Sequence, residues 1–186
     1  MGLDITAYRQ LTPDSAHRLN FEKPRMNRVR FGASMEWSES AFPGRGQGVE
    51  SNITYRYTDI MRFRAGSYGG YGTWRRQLAM LAGLPDLTGL AGEDYKVAVE
   101  SMHGKPFSEL VNFADNEGVI GPVVSAKLAK DFRDHLPQAE ALNRQSLNSA
   151  WFLAKFNEWM AAFEMATRYH GYFMGRGPIF CPSSHD

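Results

Sequence analysis

The hydrophobic period changes partway along the chain, and that change constrains the fold more than any other feature. Residues 52–64 alternate, with Ile53, Tyr55, Tyr57, Met61 and Phe63 on one side and Thr54, Arg56, Thr58, Arg62 and Arg64 on the other. A period of two over this length predicts a half-buried strand. Asp59 and Ile60 interrupt the alternation, which predicts a bulge or bend at that point. Residues 3–11 predict another strand, with Leu3, Ile5, Ala7 and Leu11 on one face. After residue 93 the period becomes helical. Val124, Leu128, Phe132 and Leu136 form an i,i+4 row, and Phe152, Phe156, Trp159, Phe163, Ala166 and His170 step by four or three. Strands followed by helices predict an α+β fold, with a small antiparallel sheet from the N-terminal half covered by helices of the C-terminal half. At 186 residues, against roughly 150 per domain, the expectation is a single domain over 1–186.

Punctuation refines the elements. Helices are expected over 73–82 (Thr73 as N-cap and Gly83 as stop), 93–102, 106–111, 122–136 and 146–173, with Pro122 in a first-turn position. Tyr95, Val99 and Met102 share the inner face of the second of these. A short closing strand is expected at 179–180.

Composition removes several function classes. The 21 Lys+Arg nearly balance the 20 Asp+Glu, for a net charge of +1, whereas nucleic-acid and anionic-membrane binders carry a basic excess. No nucleic-acid and no membrane partner is expected. The single cysteine, Cys181, excludes an intrachain disulfide and a cysteine-rich zinc site and reads as an inert thiol. No stretch approaches 18 uninterrupted apolar residues, and Met1–Thr6 lacks the basic and apolar regions of a secretory signal, so a cytoplasmic location is expected. With 12 Phe, 8 Tyr and 4 Trp, the chain has ample material for a core.

The segment 65–72, Ala-Gly-Ser-Tyr-Gly-Gly-Tyr-Gly, predicts a glycine-rich loop between the strand and the 73–82 helix. Backbone N–H groups and a helix N-terminus attract an anion together. Thr73, Arg75, Arg76 and Arg56 would hold a phosphate, and Tyr68, Tyr71 and Trp74 would stack on a base or sugar. The spacing matches neither the Walker loop nor the dinucleotide fingerprint. Asp115 and Glu117, two apart in a loop, would meet a base edge or ribose hydroxyl, or hold a hard cation. Each feature also has a plain structural reading: a tight strand-to-helix turn, a solvated sheet face, and a turn closed by its own Asp and Asn. The histidines are scattered at 17, 103, 135, 170 and 185; His135 follows Asp131 by four, a spacing that can hold a metal on a helix and that more often marks a solvated face. No Gly-x-Ser-x-Gly or His-Glu-x-x-His occurs.

The opening Met1-Gly2-Leu3-Asp4-Ile5-Thr6-Ala7-Tyr8, the stretch Ser67-Tyr68-Gly69-Gly70-Tyr71-Gly72-Thr73-Trp74-Arg75 and the stretch from Phe107 to Pro122 with its Phe113-Ala114-Asp115-Asn116-Glu117-Gly118 centre carry a resemblance. In these motifs the chain resembles a set of uncharacterised proteins encoded by bacteriophages and prophages. The resemblance implies a small accessory protein acting inside a host bacterial cell and transfers no activity. The expected function is binding of a small anionic molecule, a nucleotide or nucleotide signal, in the service of counter-defence by sequestration. The expected site is Arg56, Tyr68, Tyr71, Thr73, Trp74, Arg75, Arg76, Asp115 and Glu117, with no resident cofactor or metal. The alternatives are a metal-dependent phosphoester hydrolase using Asp115, Glu117 and His135, and a module that binds a host protein, or itself as a homo-oligomer, through the aromatic stripe of the last helix.

Overall fold

The structure is a computed structural model that describes residues 2–14, 27–32, 42–113, 118–145, 150–167 and 180–185, with only the backbone at 145 and 180–185. Among these residues the strands are β1 (Gly2–Arg9), β2 (Thr12–Pro13), β3 (Arg28–Arg30), β4 (Thr54–Arg56), β5 (Asp59–Ser67) and β6 (Phe180–His185). The helices are α1 (Tyr68–Leu81), α2 (Gly92–Met102), α3 (Ser108–Val111), α4 (Pro122–Gln145) and α5 (Ala150–Thr167). The fold is α+β, as the order of periods predicts.

Two antiparallel sheets form, in the strand orders β5-β1-β6 and β2-β4-β3. β1 is the middle strand of the first. Its Leu3, Ile5 and Ala7 are fully buried against the helices. Leu11 departs from the expected face. Gln10 takes a positive φ of 51°, the chain turns, and Leu11 joins a second, smaller cluster with Phe31, Val49, Tyr55 and Val119.

That second cluster also divides the 52–64 alternation. One continuous strand was expected; two form, in different sheets. Tyr55 on β4 points into the small cluster, while Met61 and Phe63 on β5 pack on the main core. Between them the Tyr57 amide donates to the Asn27 carbonyl and the Thr58 amide to the Arg9 carbonyl. The bulge lies further on: Leu3 pairs with Gly66 and Asp4 with Arg64, so Ala65 is the extra residue.

Segment 65–72 is not a loop. β5 runs to Ser67, whose hydroxyl caps α1 by accepting from the Gly70 amide at 3.1 Å. The helix therefore begins five residues before the expected start, and Thr73 lies inside it rather than at its cap. α4 continues through Pro137 to Gln145. Of the long last helix, residues 150–167 are helical, and 146–149 and 168–173 lie outside the described residues. The closing strand runs from 180 to 185 and completes the first sheet.

The core is a stack of aromatic rings. Trp74 of α1 lies flat on Trp159 of α5, with centroids 5.3 Å apart and planes 12° apart. Tyr71 stacks on the same Trp159 at 5.9 Å, and Phe132 of α4 stacks on Trp74 at 6.5 Å. Phe152, Phe156 and Phe163 fill the remaining sides and are no more than 1% exposed. Phe152, Phe156, Trp159, Phe163 and Ala166 of the α5 stripe are thus packed in the core, and His170 lies outside the described residues.

A buried charge cluster fixes α3. The Lys127 Nζ of α4 sits 2.7 Å from the Glu109 carboxylate and 3.0 Å from that of Asp131, and donates to the Lys105 carbonyl. Asp131 also accepts from the Phe107 amide at 3.0 Å. Phe107 needs that support because its φ of 60° places a bulky residue in the left-handed region. Its ring meets Phe132 and Phe156 edge-on.

Two stability predictions follow from this packing. Trp74→Ala removes the ring that joins α1 to α4 and α5 and is expected to cost about 3–5 kcal/mol in urea unfolding; a loss under about 1 kcal/mol would show that the stack is not what holds α1. Lys127→Met leaves two buried carboxylates without their cation. The lysine is itself 30% exposed, so the expected cost is about 2–3 kcal/mol, below that of a fully buried pair.

Candidate functional site

α1 buries Tyr71, Trp74, Leu78 and Ala79. At 3.6 residues per turn its other side carries Gly69, Gly72, Thr73 and Arg76. This outer side forms one wall of a cleft of about 480 Å³, together with Arg75 and Ala79. The facing wall comes from the loop after α1 (Asp86, Leu87, Thr88), from Tyr95 of α2, and from Val111 and Asn112 at the end of α3. Gly69 and Gly72 open the near wall: a Cβ at either position would meet nothing within 4 Å.

The two arginines do different things. Arg75 donates through Nη1 to the Phe113 carbonyl at 2.5 Å and to the Val111 carbonyl at 3.4 Å. Its guanidinium lies over the Tyr71 ring, 4.7 Å from the centroid. Its Nε is shielded from solvent and meets no acceptor among the described residues. Arg76 is exposed and donates to the Thr73 hydroxyl at 3.2 Å. Among the described residues no carboxylate stands within ion-pair distance of either guanidinium.

Across the cleft, Asp86 accepts the Thr88 amide at 2.9 Å. Hydrogen bonding by the Thr88 side chain first, then by its backbone amide, and lastly the charge of Arg76 hold the Asp86 carboxyl below the usual carboxylate range, against a desolvation effect that raises it. Asp86 is therefore ionised at neutral pH. The Tyr95 hydroxyl donates to the Asn112 side-chain oxygen, which joins α2 to the end of α3 at the cleft rim.

Of the residues expected from sequence, Thr73, Arg75 and Arg76 meet at this cleft. Tyr71 and Trp74 do not serve it as stacking platforms. Both are 0% exposed, with their rings spent on the core and the Tyr71 hydroxyl donating to the Phe113 carbonyl. Tyr68 is half-buried at the start of α1 and is not part of the lining. Arg56 belongs to the second sheet, where it and Arg28 clamp Asp14 at 2.9 and 2.7 Å, and it does not line the cleft. Asp115 and Glu117 lie outside the described residues. His135 accepts or donates at Nδ1 with the Asp131 carbonyl and meets the Phe107 ring. Because the Asp131 carboxylate is held by Lys127 and Phe107, the His135–Asp131 spacing does not make a cation site. Among the described residues no group of three His, Cys, Asp or Glu side chains is arranged to hold a metal ion, and no helix is long and apolar enough to cross a membrane.

Sequence reasoning missed the facing wall. Tyr95 was expected inward with Val99 and Met102; those two are buried, whereas Tyr95 is 36% exposed at the cleft. Asp86-x-Thr88 after Pro85 is a turn signature, and nothing in that pattern marks it as facing α1. No protein-family model, no curated protein and no solved structure matches the chain.

Proposed function

We propose that this protein binds a small anionic ligand, a nucleotide or nucleotide signal, in the cleft between α1 and the 86–88 loop. One observation carries the reading: Thr73, Arg75 and Arg76 share one cleft, and neither guanidinium is neutralised by a carboxylate among the described residues. A guanidinium and a hydroxyl donor side by side suit a phosphate or carboxylate. The volume falls in the range of small-molecule sites, roughly 300–1,000 Å³. Arg76 with Thr73 is the primary anion contact, because Arg75 already spends Nη1 on two carbonyls. The resemblance to phage and prophage proteins makes sequestration of a host nucleotide signal the role that such a binder fits.

Isothermal calorimetry against inorganic phosphate and a panel of nucleotides and cyclic nucleotides tests the reading. Arg76→Gln is expected to weaken the bound compounds by roughly tenfold, the worth of a hydrogen bond to a charged group; unchanged affinity, or no binding by the wild-type protein at millimolar concentration, rejects it.

Gly72→Ala separates a ligand wall from a bare helix. Alanine in a helical position stabilises by about 0.5–1 kcal/mol over glycine, and the methyl has open space. The expected outcome is a higher Tm together with weaker ligand binding, since the methyl enters the cleft. A higher Tm with unchanged affinity would remove Gly72 from the site.

A further inference from the structure

The cleft holds one feature that an anion alone does not explain. Asp86 is a carboxylate on the wall facing Arg76. It is near enough for the arginine's charge to act on it, yet no ion pair joins the two among the described residues. A carboxylate facing a bare anion repels it. The same carboxylate beside an anion that carries its own O–H or N–H donors accepts hydrogen bonds from them. The Thr88 amide occupies Oδ1 and fixes the orientation of the group; a carboxylate has about four acceptor positions, so capacity for further donors remains.

The rest of the lining narrows the class. Leu87, Val111 and the ring of Tyr95 give the cleft an apolar portion beside its charged one. A ligand that matches has an anion, then donors, then a flat apolar body. In a nucleotide the sugar is the part next to the phosphate, and Asp86 is the acceptor near the phosphate contact.

Resting on the anion-binding reading above, we infer that the cleft selects a ribonucleoside monophosphate, with its phosphate on Arg76 and Thr73, its ribose hydroxyls donating to Asp86 and its base against Tyr95. Asp86 is thus the specificity-determining residue and Arg76 the affinity-determining one. Acidic side chains take ribose hydroxyls in other nucleotide sites for the same reason: an ionised acceptor meets two adjacent donors.

The test compares the full-length protein with Asp86→Asn in calorimetric titrations. The probes are inorganic phosphate, the four ribonucleoside 5′-monophosphates, and the 2′,3′-dideoxy counterpart of whichever of the four binds most tightly. Asp86 is exposed, and an unchanged far-UV circular dichroism spectrum and Tm verify that the variant folds. The wild-type protein is expected to prefer the ribonucleotide to its dideoxy counterpart by about tenfold, the worth of hydrogen bonds to a charged acceptor. Asp86→Asn is expected to abolish that preference and to strengthen the binding of inorganic phosphate, because the charge that repels a bare anion is gone. A second variant, Thr88→Val, removes the Thr88 hydroxyl that bonds the Asp86 carboxyl while keeping the backbone amide on Oδ1, and is expected to reduce the preference in part. Equal binding of the ribonucleotide and the dideoxynucleotide by the wild-type protein, or a preference that survives in Asp86→Asn, overturns the assignment while the anion site stands. Failure of the wild-type protein to bind phosphate or any nucleotide overturns the anion site and the assignment with it.

Discussion

The contact on which the rest depends is the face-to-face packing of Trp74 on Trp159. It decides the rotation of α1 about its own axis. Once Trp74 and Tyr71 are turned onto α5, geometry of about 100° per residue sends Thr73 and Arg76 the other way. The cleft is therefore the far side of the aromatic stack. A helix of the same sequence rotated by one residue would bury Arg75 and expose Trp74, and burying an unpaired guanidinium costs several kcal/mol. Apolar burial and charge exclusion favour the same rotation.

The second constraint is the half-buried cation at Lys127, set between two buried carboxylates. α3 has four residues, too short to be stable alone. It is held at its start, where the Phe107 amide meets Asp131, along its length, where Glu109 meets Lys127, and at its end, where Arg75 gathers the Val111 and Phe113 carbonyls. Asn112 sits between those two carbonyls and lines the cleft. The far wall is thus fixed from behind by Lys127, Asp131 and the Phe107 amide and from the cleft side by Arg75, and the short helix is where the charge cluster and the candidate site connect.

The periods of the sequence were enough for the α+β class, the inward face of β1 as far as Ala7, and the apolar rows of α4 and α5. These are repeating signals, and burial in one core rewards them along their whole length. The break between β4 and β5 was not legible, because Tyr55 and Phe63 keep the same alternation while packing into different clusters. The early start of α1 was hidden for a related reason. Glycines at 69, 70 and 72 read as loop, but the Ser67 hydroxyl on the Gly70 amide and the ring stack one turn later outweigh their low helix propensity of about 1 kcal/mol each. On the site, Thr73, Arg75 and Arg76 were legible because they are adjacent in sequence. Asp86 and Tyr95 were not, because a facing wall is brought in by tertiary packing and leaves no local pattern.

The consecutive arginines show how such a site is divided. Neighbours on a helix point about 100° apart, so one can lie along the core boundary and the other in solvent. Arg75 takes the boundary, over the Tyr71 ring and against two main-chain carbonyls. Those contacts lie within the chain itself, so Arg75 shapes the cleft and contributes charge to it at a fixed point. Among the described residues Arg76 donates to the neutral Thr73 hydroxyl, and a neutral hydroxyl is a weak competitor for an anion. The net charge of +1 says nothing of this arrangement, because it averages over surfaces whose charges are already paired, such as Arg56 and Arg28 on Asp14. What would attract an anion is the local imbalance left after pairing, and among the described residues that line this cleft that imbalance comes from two arginines on consecutive positions with Asp86 opposite.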